Sequence, residues 1–194
     1  MILELILLAA AGAAGTLAWS RVGGRGARAE RGGEEPAGGG ERVRGEGLDG
    51  LSVSDVILYL GDELWLAGVI TLEEEETQLR LFVAPDGERR RWIARLGWRQ
   101  GGLGILEPCA EVPEGRIPES LPIAGRRLRL ARRGEAEVER EGEELPCGSG
   151  RARFSVLEGA GGRLLIVVDF EEGRRLALHG ERIREEMLQI LPGR

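Results

Sequence analysis

The sequence predicts an all-β domain, an antiparallel sandwich or a barrel-like sheet, preceded by one transmembrane helix and a disordered tether. Across residues 51–194, apolar residues alternate with polar ones between turn-forming residues that recur about every eight to twelve positions. This pattern is typical of antiparallel sheets. A uniformly apolar stretch opens the chain, and a segment rich in Gly, Arg and Glu follows it.

The first segment, residues 1–20, is predicted to be a membrane anchor. Ile2 to Trp19 contains a single charge, Glu4, and as a helix it would span ~27 Å, close to the ~30 Å hydrocarbon core of a bilayer. The basic residues follow the stretch rather than precede it: Arg21, Arg25, Arg28 and Arg31. The positive-inside rule then predicts an external N-terminus and a cytoplasmic C-terminal domain in a bacterial inner membrane.

A cleaved signal peptide is the alternative for this segment. Small residues from Ala9 to Gly15 suit a cleavage site, but no Lys or Arg precedes the apolar run. Under this alternative the chain is a secreted or periplasmic β protein.

Residues 21–50 are predicted to be a disordered linker. Gly, Arg, Glu and Ala dominate it, and so few apolar residues cannot offset the entropy lost on ordering. The chain carries a net charge of −6, and its 27 basic residues are all arginine. This balance argues against nucleic-acid binding, which needs a positive surface.

The first half of the domain reads as a series of hairpins. Val56–Leu60 and Leu64–Ile70 are predicted strands around a Gly61-Asp62 turn, and Gln78–Val83 alternates with Leu79, Leu81 and Val83 on one face. Pro85-Asp86-Gly87 is predicted to turn the chain into a strand that places Trp92, Ala94 and Leu96 together.

The second half also consists of predicted strands separated by turns and loops. Leu103–Leu106 is a short predicted strand, and Glu111–Pro122, with three prolines, is a predicted loop. Alternation of apolar and polar residues predicts further strands. The apolar residues that share one face of each are Leu128 and Leu130, Ala136 and Val138, Ala152 with Phe154 and Val156, and Leu176 and Leu178. Leu164–Val168 is apolar on both faces, which predicts a central strand. Ile183–Leu191 fits a short helical turn before a last strand, although the pattern does not decide this.

The order of these features resembles the bacterial domain-of-unknown-function family 4178. The similarity rests on Gly61-Asp62 before the strand that ends at Gly68-Val69, on Trp92-Ile93, on Arg127 to Val138, on Phe154 to Asp169, and on Gly180 to Leu191. It covers roughly residues 51–193. It implies a small β domain, often membrane-associated in bacteria, in envelope-related systems, and it carries no catalytic residues over to this chain.

Motifs of catalysis are sparse, so no enzyme, metal or cofactor is predicted. Gly45 to Gly50 matches the G-x-G-x-x-G pattern of dinucleotide-binding proteins. That motif must follow a strand and open a helix, whereas this one lies in the predicted linker and precedes a strand. His179 is the sole histidine and is predicted to face solvent. Glu73–Glu76 is predicted to be a solvated hairpin tip. Cys109 and Cys147 are predicted to be free thiols.

The function predicted from these features is that of a protein- or ligand-binding module. Trp98 and Arg99 are the candidate partner contact, because an aromatic ring beside an arginine at a strand end suits recognition. Packing of Trp98 in the core is the alternative. Trp65 and Trp92 are predicted to lie in the core. The arginine groups 89–91, 126–127, 132–133 and 174–175 are predicted to be separate solvated edges rather than one basic face. An enzyme with a carboxylate site around Asp62 or Asp169 is the alternative.

Overall fold

The computed structural model describes residues 50–86, 89–98 and 102–193. The predicted anchor, residues 1–20, and all but the last residue of the predicted linker, residues 21–50, lie outside these ranges. Within the described ranges, no helix has the length and apolar character needed to cross a membrane.

The domain is all-β, as predicted, and its main sheet closes into a barrel. The described residues contain twelve strands: β1 Val56–Tyr59, β2 Asp62–Trp65, β3 Gly68–Glu74, β4 Thr77–Asp86, β5 Arg89–Leu96, β6 Gly102–Pro108, β7 Ser120–Ile123, β8 Arg126–Gly142, β9 Gly150–Gly159, β10 Arg163–Phe170, β11 Arg175–Ile183 and β12 Leu188–Leu191. Eight of them form an antiparallel ring in the order β3-β4-β5-β6-β11-β10-β9-β8, which closes through pairing of β8 with β3. Of the two alternatives, the structure therefore shows the barrel.

Side chains from every strand of the ring fill the barrel. The predicted sets Leu79, Leu81 and Val83, and Trp92, Ala94 and Leu96, all belong to this interior cluster. Ala152, Phe154 and Val156 join it from β9, and Leu176 and Leu178 join it from β11. An eight-stranded barrel has an interior that side chains can fill, so this core has the expected size.

Two apolar layers cover parts of the outside of the barrel, which explains the strands that are apolar on both faces. One layer lies under a three-stranded sheet in the order β12-β1-β2, where Ile57 and Leu64 pack against Val69, Phe82 and Ile93. The other lies under the 109–124 segment, which ends in β7 and covers Leu157, Leu165 and Val167. β10 is central, as predicted, because it contributes to the interior and to this second layer.

The long strand β8 contributes to both sides through a register shift. Leu128 and Leu130 belong to the outer layer, whereas Ala136 and Val138, of the same parity, belong to the interior. The pairing with β9 shifts between Leu130 and Arg132. An extra residue in one strand reverses which alternate side chains face inward, so one strand serves two apolar layers.

Three local predictions were wrong. The run Leu64–Ile70 is not one strand: β2 ends at Trp65 and β3 begins at Gly68, because the chain passes there from the small sheet into the barrel. The turn predicted at Pro85-Asp86-Gly87 begins too early, since Pro85 and Asp86 belong to β4 and pair with Arg90 and Arg89 of β5; Gly87 lies outside the described residues. The end of the predicted loop Glu111–Pro122 includes part of β7.

The last residues of the domain form a helical turn and then a strand, the order that the sequence suggested. A single 3-10 turn, Glu185–Met187, precedes β12. A second 3-10 turn, Ala160–Gly162, connects β9 to β10, and Gly161 and Gly162 in it have positive φ.

Candidate binding groove

An open groove of about 870 Å³ lies on the outer face of the barrel beside β8, β9, β10 and β11. Its sides are formed by residues 115–117 and by the turn between β10 and β11. Six arginines and three carboxylates line it: Arg116, Arg133, Arg151, Arg153, Arg174 and Arg175, with Glu135, Asp169 and Glu171. The groove is therefore positively charged on the surface of a chain whose net charge is −6.

A row of alternating charges crosses the floor of this groove. The strand register places Glu135 opposite Arg153, Arg153 opposite Asp169, and Asp169 opposite Arg175. Neighbouring strands lie ~4.8 Å apart, so the row extends over ~14 Å. The row follows from strand pairing, and each member alternates with a residue that faces the barrel interior.

Arg175 holds in place the wall of the groove that residues 115–117 form. Its Nε donates to Asp169 Oδ1 at 2.5 Å, and its two terminal nitrogens donate to the carbonyls of Pro113 and Gly115, each at 2.6 Å. Arg133 donates to the carbonyl of Ile117 at 2.5 Å and lies 3.4 Å from Glu119. Two arginines thus tie the 113–119 segment to the barrel.

The remaining arginines of the groove are available to a ligand. Among the described residues, Arg116, Arg151 and Arg153 have no ion-pair partner, although Arg151 and Arg153 lie opposite glutamates of β8. Arg174 donates to the carbonyl of Pro146 at 2.8 Å, which leaves its charge without a paired carboxylate in the described chain. Guanidinium groups offer several donors in a planar arrangement that suits carboxylates and phosphates.

The predicted contact at Trp98 lies elsewhere and is half-buried. Trp98 packs against the barrel interior, its ring 6.3 Å from that of Phe154, and the guanidinium carbon of Arg132 lies 4.8 Å from the Trp98 ring centroid. Arg132 also pairs with Glu74 and donates to Thr77 Oγ1 at 2.9 Å. Arg99, the second residue of the predicted contact, lies outside the described residues.

The arginine groups are only partly separate. Arg133, Arg174 and Arg175 come together in the groove. Arg90 and Arg91 form ion pairs with Glu144 at 2.7 Å and Asp62 at 2.5 Å. The prediction missed Arg151 and Arg153 because each is isolated in the sequence, and the signal for them was their alternation with Ala152 and Phe154.

Trp65 is not a core residue, contrary to the prediction. Its exposed fraction is 47%, because it points away from the barrel on the outer face of the small sheet, whereas Trp92 is fully buried as predicted. Of the two carboxylates named for the enzyme alternative, Asp62 pairs with Arg91 and Asp169 pairs with Arg175 at 2.5 Å.

The histidine and the two cysteines do not line the groove. His179 is half-buried rather than solvated, and its Nε2 has no hydrogen-bond partner in the described part of the chain. Burial lowers the pKa of this imidazole, the charge of Arg163 lowers it further, and Glu111 opposes them. Cys109 and Cys147 are free thiols, as predicted; Cys109 packs against the outer layer under the 109–124 segment, and Cys147 lies in the barrel interior.

The acidic run lies at a hairpin tip, as predicted. Glu73 and Glu74 end β3, and Glu75, with φ 52°, begins the turn into β4. No group of three potential metal ligands occurs within the described ranges.

No family model matches the chain, and comparisons with curated proteins and with solved structures return no match either. The resemblance to the domain-of-unknown-function family 4178 stays a prediction.

Proposed function

We propose that the chain is a non-enzymatic, membrane-tethered binding module whose groove binds an acidic segment of a protein partner. The groove carries the proposal: six arginines against three carboxylates line it, and four of those arginines, Arg116, Arg151, Arg153 and Arg174, have no ion-pair partner among the described residues. The membrane tether is proposed from the apolar segment Ile2 to Trp19 and the arginines that follow it.

An extended peptide fits the groove better than a single small anion. The charged row crosses four strands and ~14 Å, so several side chains of one ligand can pair along it at once. The excess of arginine favours acidic side chains in the ligand, and charge complementarity of this kind sets partner choice. Nucleic acid is disfavoured because the chain carries a net charge of −6, whereas binding to a long polyanion needs an extended positive surface.

The proposed location is the cytoplasmic face of a bacterial inner membrane, with the N-terminus outside. A protease-protection assay on intact cells, with a tag after Arg194, tests it. The tag is expected to survive external protease. Digestion from outside would contradict the cytoplasmic placement, and N-terminal sequencing that finds a cleaved chain would favour the secreted alternative.

Binding in the groove is tested by fluorescence anisotropy with a labelled twelve-residue peptide of Asp, Glu and Gly. The full-length chain in detergent is the titrant. Arg151→Glu with Arg153→Glu is expected to weaken binding about tenfold or more, because both charges face the ligand.

Arg126→Glu with Arg127→Glu is the matched control, since both are exposed arginines on the β7–β8 hairpin, outside the groove lining. This control is expected to bind the peptide within about twofold of the wild type. Equal losses in the two variants would show that only overall charge matters, and no binding by the wild type would overturn the proposal.

A further inference from the structure

The large apolar side chains that the described domain exposes are concentrated on one small sheet. Leu60, Trp65, Met187 and Leu191 are 74%, 47%, 45% and 41% exposed. All four belong to β2, to β12 or to the turns that border these strands. Single exposed apolar residues are ordinary, but a contiguous group marks an interaction surface.

Strand register places two of these residues, Trp65 and Leu191, on one face of the sheet. Val56 lies opposite both Trp65 and Leu191, so the three make a row across the sheet. Leu58, two residues on, lies on the same face, between the exposed side chains of Glu63 and Gln189. Leu60 and Met187 lie at the tip, next in sequence to the pair Tyr59 and Leu188. The alternate residues Ile57, Leu64 and Ile190 face the barrel, so the row is the outer side of the sheet.

The turn at the tip of the β1–β2 hairpin contains an exposed leucine that folding alone does not explain. Leu60 and Gly61 form its two-residue turn with φ of 50° and 92°. Such turns favour Asn-Gly, and a leucine with positive φ is uncommon. Leu60 adopts this conformation although it is 74% exposed, so burial of its side chain in the domain contributes little to stability.

The position at which the chain enters the domain indicates what this exposed apolar face contacts. Leu51 is buried beneath the small sheet, Asp55 bonds Leu66 through its backbone, and the Asp55 carboxylate accepts from the Gly193 N–H at 2.9 Å. The chain therefore enters the domain beside Trp65 and Leu191. The segment before it is a linker of about 30 residues that leads back to the apolar stretch Ile2 to Trp19.

We infer that this apolar face, Val56, Leu58, Leu60, Trp65, Met187 and Leu191, rests on the lipid surface of the membrane that holds the tether. The inference rests on the proposed membrane tether and adds an orientation to it. A tryptophan with leucine and methionine suits the boundary between headgroups and acyl chains, where an amphipathic ring has apolar and wet sides. The anchor keeps the domain close, so a modest apolar area suffices for contact.

The test uses the full-length chain in phosphatidylcholine nanodiscs whose acyl chains carry bromine, a short-range quencher of tryptophan emission. The emission of Trp65 is obtained as the difference between the wild type and Trp65→Phe. This component is expected to lose most of its intensity in brominated discs, and Leu60→Ser with Leu191→Ser is expected to restore it.

Trp98 supplies the control, because it packs on the barrel interior. The emission component removed by Trp98→Phe is expected to be the same in brominated and ordinary discs. If the chain co-elutes with the discs and Trp65 is not quenched, another surface covers this face and the inference is overturned while the tether stands. If the chain does not co-elute with the discs, the tether and the inference both fail.

Discussion

Arg132 lies over the indole ring of Trp98, with the guanidinium carbon 4.8 Å from the ring centroid, and Trp98 in turn stacks on Phe154. Glu74 and Thr77 hold the guanidinium from the opposite hairpin. The aromatic ring predicted from the sequence to meet a partner is therefore part of the packing of the barrel.

Trp98→Ala is expected to lower the free energy of unfolding by about 3 kcal/mol, because the stack on Phe154 and the cation–π contact both disappear. Urea denaturation measures this change, and Trp98→Phe is expected to lose less. If Trp98→Ala leaves stability unchanged but weakens peptide binding, Trp98 is the partner contact first predicted.

Much of the barrel could be predicted because its interior follows period two. Leu79, Leu81 and Val83 alternate without interruption, and so do Ala152, Phe154 and Val156. Closure could not be predicted, because it depends on β8 pairing with β3, more than sixty residues apart in sequence, after the shift beyond Leu130.

The groove was less accessible to prediction than the fold. Arg153 and Asp169 are neighbours only through strand register, and Arg116 reaches the groove only because Arg175 and Arg133 fix the loop that bears it. Trp65 was misplaced because its strand looks apolar throughout. One face of β2 covers the barrel, and the other carries an apolar residue that is exposed.

Gly180→Ala is expected to destabilise the domain by about 1–3 kcal/mol, because a Cβ there would overlap the backbone carbonyl of Ile105 on the paired strand. Gly102→Ala, in the neighbouring strand, is the control, since its Cβ would lie 3.4 Å from a flexible arginine side chain, that of Arg182. Thermal or urea unfolding compares the two. Equal stability of the two variants would contradict the close approach of β11 and β6.

The stability of the domain is expected to fall as pH decreases through about 6.5, in part because of His179. Burial and Arg163 lower the pKa of the folded imidazole, so the unfolded chain binds more protons in this range. Glu107, its partner across the strand pair, and Glu111 are the acids near it. His179→Gln is expected to flatten the dependence between pH 5 and 7, as followed by urea midpoints, and an unchanged slope would contradict this account.

The two thiols are expected to react at different rates in the native protein. Cys147 is buried, and burial is the main cause that raises its pKa to about 11, so little thiolate is present at pH 8. Cys109 is half-buried and is expected to react first with a chromogenic disulfide reagent. Both should react in denaturant. Fast labelling of Cys147 under native conditions would contradict its position in the barrel.

Arg175→Ala is expected to release the wall of the groove. Three hydrogen bonds hold Asp169 and the carbonyls of Pro113 and Gly115 to this one side chain, and alanine leaves all of these acceptors without it. The bond after Arg116 then becomes more open to trypsin, so its cleavage, followed by peptide mapping, is expected to accelerate. Arg174→Ala is the matched control, because Arg174 donates to Pro146 on another loop. If the two variants are cleaved after Arg116 at the same rate, Arg175 does not hold the wall.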